Sequence, residues 1–259
     1  MMLSRLAALF LAACFACAAT PAAAERLIIS LSNHRVMVTS SYTGADLVLF
    51  GSVESDGKSA VRSGGYDVVV TVIGPRDSER TRRKSRVFGI WVNTASRTFV
   101  DVPSYLAVLS SKPAEAIAAT DTLRRLQVGF DHVELPQRYG QLANVVIDDD
   151  FRQAFVRLKE EHGLYVGRDN GVTFLTPTLF RAEVPIPANA PFGIYEIDVK
   201  LFADGAMIAQ STSALEVIKV GFEQFVADSA RKYSLLYGLA TAMLALLTGW
   251  FASVVFRRD

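Results

Sequence analysis

From residue 26 to about 111 the chain alternates between short apolar runs and clusters of Gly, Asp, Ser and Pro. The runs at 27–31, 36–39, 46–53, 66–73, 87–92, 98–102 and 105–109 are rich in Val, Ile, Leu, Phe, Tyr and Thr, which suit a pleated, half-buried surface, and they predict strands. Tyr42-Thr43-Gly44, Ser55-Asp56-Gly57, Ser63-Gly64-Gly65 and Gly74-Pro75 supply the turn conformations between them. The pattern then changes period. Pro113 can open a helix over 114–127, and Phe151, Ala154, Phe155 and Leu158 fall on one face of a second helix over 151–162. Asp148-Asp149-Asp150 lie at its start and Gly163 at its end, as helix polarity favours. Strand signals return at 172–175, 179–186, 193–202 and 207–217, the last two joined by a turn centred on Asp204-Gly205. Pro185, Pro187 and Pro191 lie between two of these strands. The order predicts a mainly β fold for 25–220: an Ig-like antiparallel sandwich carrying a helical insertion at about 112–165. A sandwich followed by a small α+β unit is the alternative, but two or three late strands cannot bury a core alone.

The two ends have a different character. Residues 234–256 run for 23 positions without a charge and close on Arg257-Arg258-Asp259. As a helix this stretch reaches about 34 Å, enough to cross a hydrocarbon core. Before it, 221–233 places Phe222, Phe225, Val226 and Tyr233 among charges, the pattern of a short amphipathic helix at the interface. Residues 1–24 show one early Arg5, an apolar run and the small residues Ala22-Ala23-Ala24, which predicts a secretory signal peptide. Both cysteines, Cys14 and Cys17, lie within it, so cleavage after Ala24 leaves no thiol for disulfides, catalysis or metal binding. Leu11-Ala12-Ala13-Cys14 also fits a lipoprotein box, although the apolar run continues past Cys14. Arg231-Lys232 and Arg257-Arg258 flank the apolar run equally, so its own charges do not orient it. Export from the N-terminus does. It predicts a single-pass bacterial inner-membrane protein with its body in the periplasm and a cytoplasmic tail of 257–259.

Charge and motifs narrow the chemistry. Of 27 basic and 26 acidic residues, removal of the leader takes one base and leaves the charges balanced, which argues against a nucleic-acid partner. No nucleophile elbow, P-loop, dinucleotide fingerprint or HExxH sequence occurs, so no catalytic residue, cofactor or metal site is expected. His34, His132 and His162 are isolated; Asp148–Asp150 could hold a cation, but a helix start accounts for them. The unusual charge feature is 76–86, with Arg76, Arg80, Arg82, Arg83, Lys84 and Arg86 against Asp77 and Glu79. Between two strands it predicts a long solvated hairpin. Its guanidinium groups suit small oxyanions or anionic lipid headgroups. In the apolar run, Gly238, Ala242, Ala245, Gly249 and Ala252 form a seam of small residues suited to packing against another helix, of a membrane protein or of a second copy.

LVLFGSVES, RRKSRVFGIWVN, DVPSYLAVLSSKP, FRQAFVRLKEEHGLY, PANAPFGIYEIDVKLFADG, KVGFEQFV and GWFASVVFRR together resemble an alphaproteobacterial family of single-span transmembrane proteins of unknown function. The resemblance covers nearly the whole chain after residue 24. It implies an inner-membrane protein with a periplasmic domain, working with permeases of the sulfite- or sulfonate-exporter type, and it carries no catalytic residues to transfer. The role expected is therefore that of a non-enzymatic accessory protein; a binding module for oxyanions or lipid headgroups is the alternative.

Overall fold

The computed structural model describes residues 25–39, 42–54, 65–139, 142–221, 226 and 229–255. The expected leader, its cysteines, Phe222, Phe225 and the Arg257-Arg258 tail lie outside the described residues.

Among the described residues, fourteen strands build three sheets. β1 (Arg26–Leu31), β3 (Gly44–Glu54), β12 (Leu179–Pro187) and β11 (Val172–Phe174) form the first, in the order β1-β3-β12-β11, with every pair antiparallel. The second runs β10-β7-β4-β13-β14-β2, from Tyr165–Arg168, Leu106–Ser110, Asp67–Ile73, Gly193–Ala203, Ala206–Lys219 and Arg35–Val38. The third runs β5-β6-β8-β9, from Arg76–Val87, Ile90–Pro103, Pro136–Tyr139 and Leu142–Val146. Helices α1 (Ala114–Ile117), α2 (Thr120–Arg125) and α3 (Asp150–Glu161) fall in the segment expected to be inserted, and α4 (Ser234–Val255) follows the last strand.

The first and second sheets close a sandwich core. Leu49, Phe180, Val184 and Ile186 of one meet Val70, Val72, Leu109, Ile197 and Val199 of the other. Gly51 pairs with Phe180 across β3 and β12, and a Cβ on it would stand 2.1 Å from the Phe180 ring. The second sheet is covered on its other face too. There Val69, Leu106, Val108 and Phe202 meet Ile117, Leu123, Phe151 and Phe155 from the helices and Phe99 and Val102 from β6. Burial on both faces explains why β4 (DVVVTVI) and β7 (LAVLS) are nearly continuous apolar runs rather than alternating ones. Two of the charged residues on the covered face neutralise each other: Lys200 and Asp198 form an ion pair, and Gln210 donates to Asp198 Oδ1 at 2.7 Å.

The antiparallel sandwich with a helical insertion is therefore present, with several refinements. β10 joins β7 in parallel and β2 joins β14 in parallel, each at an edge of the second sheet. A parallel pair needs a long crossover, and for β7 to β10 that crossover is the insertion itself. The insertion contains strands β8 and β9 besides its helices. The helix expected over 114–127 breaks at Ala118, whose backbone is extended, so that Ile117 and Leu123 can both turn inward. Residues 76–86, expected as a long solvated hairpin between two strands, are themselves one strand, and the expected strand 87–92 contains the turn at 87–90. Pro185 and Pro187 lie inside β12, not after it. Their register is legal because β11 pairs no further along β12 than Ala182, leaving that flank open. The Pro185 carbonyl on this flank accepts the Tyr105 hydroxyl instead of a strand N–H.

Candidate functional site

The charged segment 76–86 forms one arm of a long hairpin. β5 and β6 pair from Arg76↔Pro103 at the base to Val87↔Ile90 at the tip. The base is fixed by packing. Phe99 stacks on Phe155 of α3 at 4.4 Å, Tyr165 donates to the Pro103 carbonyl at 2.9 Å, and Ser104 Oγ donates to the Pro75 carbonyl at 2.6 Å. Lys159 of α3 is buried against this base. Its ammonium lies 2.6 Å from Glu79 Oε1 and 3.2 Å from the Ser104 carbonyl, within reach of the Phe155 and Tyr165 rings. Burial first, and then the charge of Glu79, pushes the Tyr165 phenol above its ordinary value.

Alternation along β5 sorts the six basic residues. Thr81 is buried and Arg83 turns to α3, where it bonds Asp150 Oδ2 at 2.8 Å and lies over the Phe151 ring at 5.0 Å. Arg97 of β6 approaches the same ring at 5.1 Å. The irregularity between Arg83 and Lys84 places its extra residue, Thr94, on β6, so β5 keeps its period of two. Arg80, Arg82, Lys84 and Arg86 therefore share the opposite face as an exposed row. Arg76 stays at the base and donates to the Asp101 carbonyl at 2.8 Å. Four of the six expected residues are thus brought together, the last of them, Arg86, also donating to the Gly89 carbonyl at 3.2 Å.

The tip is the part that sequence reasoning misplaced. Phe88 and Gly89 both have positive φ, 47° and 86°, the geometry of a two-residue hairpin turn that Asn-Gly normally fills. A phenylalanine there is unusual. Phe88 is fully exposed at 102%, and Val87, Ile90 and Trp91 around it are exposed as well. The signal was the apolar stretch VFGIW after a basic run, which a strand assignment absorbed.

The remaining candidates fall as follows. Asp149 caps α3 by accepting from the Arg152 N–H at 3.0 Å, Asp148 lies 4.0 Å from Arg152, and Asp150 holds Arg83. His132 and His162 each hold the carbonyl of the residue four positions back, at 2.7 and 2.6 Å. A shallow groove of about 530 Å³ between β5 and α3 is lined by Glu79, Thr81, Lys159 and His162, among others. Another, of about 600 Å³, lies at the β10–β11 turn beside Arg168, Asn170 and Arg181, a place no sequence pattern singled out.

α4 is the second candidate surface. Over Ser234–Ser253 its mean hydropathy is 1.7 and none of it is buried against the rest of the chain. Gly238, Ala242, Ala245, Gly249 and Ala252 fall within an arc of about 80° of this helix. Beside that arc, Thr241 and Thr248 return their hydroxyls to the carbonyls of Tyr237 and Leu244 at 3.0 and 2.7 Å, and also to those of Gly238 and Ala245. Their polar groups are satisfied within the helix, as hydrocarbon surroundings require. Upstream, Tyr233 donates its N–H to the Ser229 carbonyl at 3.0 Å, so a helical turn precedes α4.

A family model described as "Putative transmembrane protein (Alph_Pro_TM)" matches residues 26–258. No curated protein matches the chain.

Proposed function

Because the chain belongs to this alphaproteobacterial-named family of transmembrane proteins, we propose that it is a non-enzymatic accessory protein, a periplasmic β-sandwich held to the inner membrane by α4. The observation that carries this reading is α4 itself: apolar, exposed along its length, and bearing a small-residue seam bordered by two self-satisfied threonines. Close approach of a second helix to such a seam gains dispersion contacts that bulky lipid-facing side chains would prevent. The partner is another integral membrane protein, a polytopic permease of the sulfite- or sulfonate-exporter type, or a second copy of the chain. The leader expected at 1–24 supports export of the body and a C-terminus on the cytoplasmic side.

The test is co-purification of the full chain from membranes under mild solubilisation, with and without Gly249→Ile. The expected result is a discrete membrane partner retained by the parent chain and reduced severalfold by the substitution, since a branched side chain in the seam holds the helices apart. Equal recovery from both chains would remove the seam from the proposal.

A second reading is favoured by the exposed row Arg80, Arg82, Lys84 and Arg86. Its guanidinium forks suit an oxyanion on a small molecule or a headgroup. A thermal shift with sulfite, sulfate or phosphate that vanishes in Arg80→Ser/Arg82→Ser would support small-anion binding.

A further inference from the structure

We infer that the tip of the β5–β6 hairpin inserts into the surface of an anionic lipid bilayer, with Val87, Phe88, Ile90 and Trp91 entering the interface and Arg80, Arg82, Lys84 and Arg86 lying against headgroups. The inference rests on the membrane-anchored reading above but not on the accessory role.

Three observations converge on it. First, four neighbouring apolar side chains are exposed at the extremity of a projecting element, and they include both a phenylalanine and a tryptophan. Such a cluster is unfavourable in water and is the kind of patch that marks a docking surface. Second, Phe88 occupies a left-handed turn position that a small polar residue would fill without strain. The fold thus presents an aromatic ring at the apex at a conformational cost. Third, the charge behind the apex has one sign. From residue 80 to residue 100 the hairpin carries six basic residues and no acidic one, although the whole chain has a net charge of only +1. A protein groove could accept the apolar tip alone. The combination of an apolar apex, a tryptophan beside it and a one-signed basic row behind it matches a bilayer, whose hydrocarbon, interfacial layer and anionic headgroups lie in that order.

The paired arms give the hairpin a span of about 40 Å. Its base packs at the end of the second sheet from which the chain continues toward α4: Pro75 lies against Gly193, and Gly193 pairs with Val217 near the end of β14. The bilayer entered is either the one that holds α4 or one facing it, and the experiment separates them.

The full chain carrying Trp250→Phe has Trp91 as its single tryptophan. It is reconstituted into vesicles of phosphatidylcholine alone or of phosphatidylcholine with phosphatidylglycerol, and recovered by flotation. Brominated lipid is placed either in the same vesicles or in added ones. The expected result is blue-shifted Trp91 emission, quenched by bromine only when phosphatidylglycerol is present and relieved by high salt. The vesicle population that quenches identifies the bilayer. Arg82→Ser/Lys84→Ser/Arg86→Ser and, separately, Phe88→Ser should each abolish the quenching while the far-ultraviolet spectrum is unchanged. Water-like emission in floated vesicles of both compositions overturns the inference. So does a blue shift without bromine quenching, which would mean that the tip is covered by protein. Equal quenching in neutral vesicles overturns the anionic assignment. A chain that does not float overturns the anchored reading itself, and the insertion with it.

Discussion

Gly51 shows how a single missing side chain holds two strands in register. The Phe180 ring occupies the space where a Cβ would be, and both residues lie at the centre of the sandwich. Gly51→Ala should therefore destabilise the chain by about 2 kcal/mol or more, because a buried ring cannot move aside without opening a gap elsewhere. Combining it with Phe180→Leu should recover part of the loss, measured by chemical denaturation of both variants and the double. The tyrosines offer a pH test. Burial pushes the phenols of Tyr105, Tyr165 and Tyr195 above their ordinary value, and each donates its proton to a backbone carbonyl, of Pro185, Pro103 and Pro191 respectively. In the unfolded chain these groups ionise near pH 10. Above that pH the unfolded state holds fewer protons than the folded one, so stability falls as pH rises. It is fully present below about pH 10. Phenolate absorbance from these three residues should accordingly appear together with loss of structure rather than before it.

At the scale of elements, the hairpin base depends on one buried cation. Lys159 is 7% exposed, and its partner Glu79 is the group that compensates it. Glu79→Gln keeps an acceptor but leaves the desolvated ammonium without its counter-charge, and should cost about 2 kcal/mol. Lys159→Met removes the charge and keeps the stem's packing, so it should cost less. The order of the two, read from thermal or urea unfolding, is the check; the reverse order would mean that the pair is not the main support. This scale also shows what was legible beforehand. β1, β3, β4, β7, β13 and β14 were visible because apolar residues either alternate or run continuously there, and Asp204-Gly205 announced its own turn. β5 was not visible, because a strand exposed along most of one face and carrying six basic residues has the composition of a loop. For the same reason the sorting of its arginines, with Arg83 taken by Asp150 and the even-numbered row left outside, could not be read. That division depends on α3, far away in sequence.

For the whole molecule, the sandwich, the insertion and the apolar C-terminal helix were each foreseeable from period, length and charge. The third sheet and the second core were not, because they arise from contacts between the hairpin, β8, β9 and the helices that no local pattern encodes. This second core makes the central strands of the second sheet the most sheltered part of the fold. Amide exchange should be slowest in β4, β7 and β13 and much faster at the hairpin tip, whose backbone partners among the described residues are those of its own ladder. Comparable rates in the two regions would contradict the two-sided covering.

The position of β14 has a mechanical consequence. It is the last described strand before α4; β13 pairs it over Ala206–Val217, and β2 takes over at its end, pairing Glu216–Lys219. A tether drawn away from the end of the sheet at Lys219 pulls along the strand, so that its rungs to β13 are loaded together in shear. An edge strand pulled sideways would instead be peeled, one rung at a time. Tension on the C-terminal segment thus reaches the sheet at a strand whose rungs share it, and β2, added in parallel over Glu216–Lys219, holds the stretch nearest the tether.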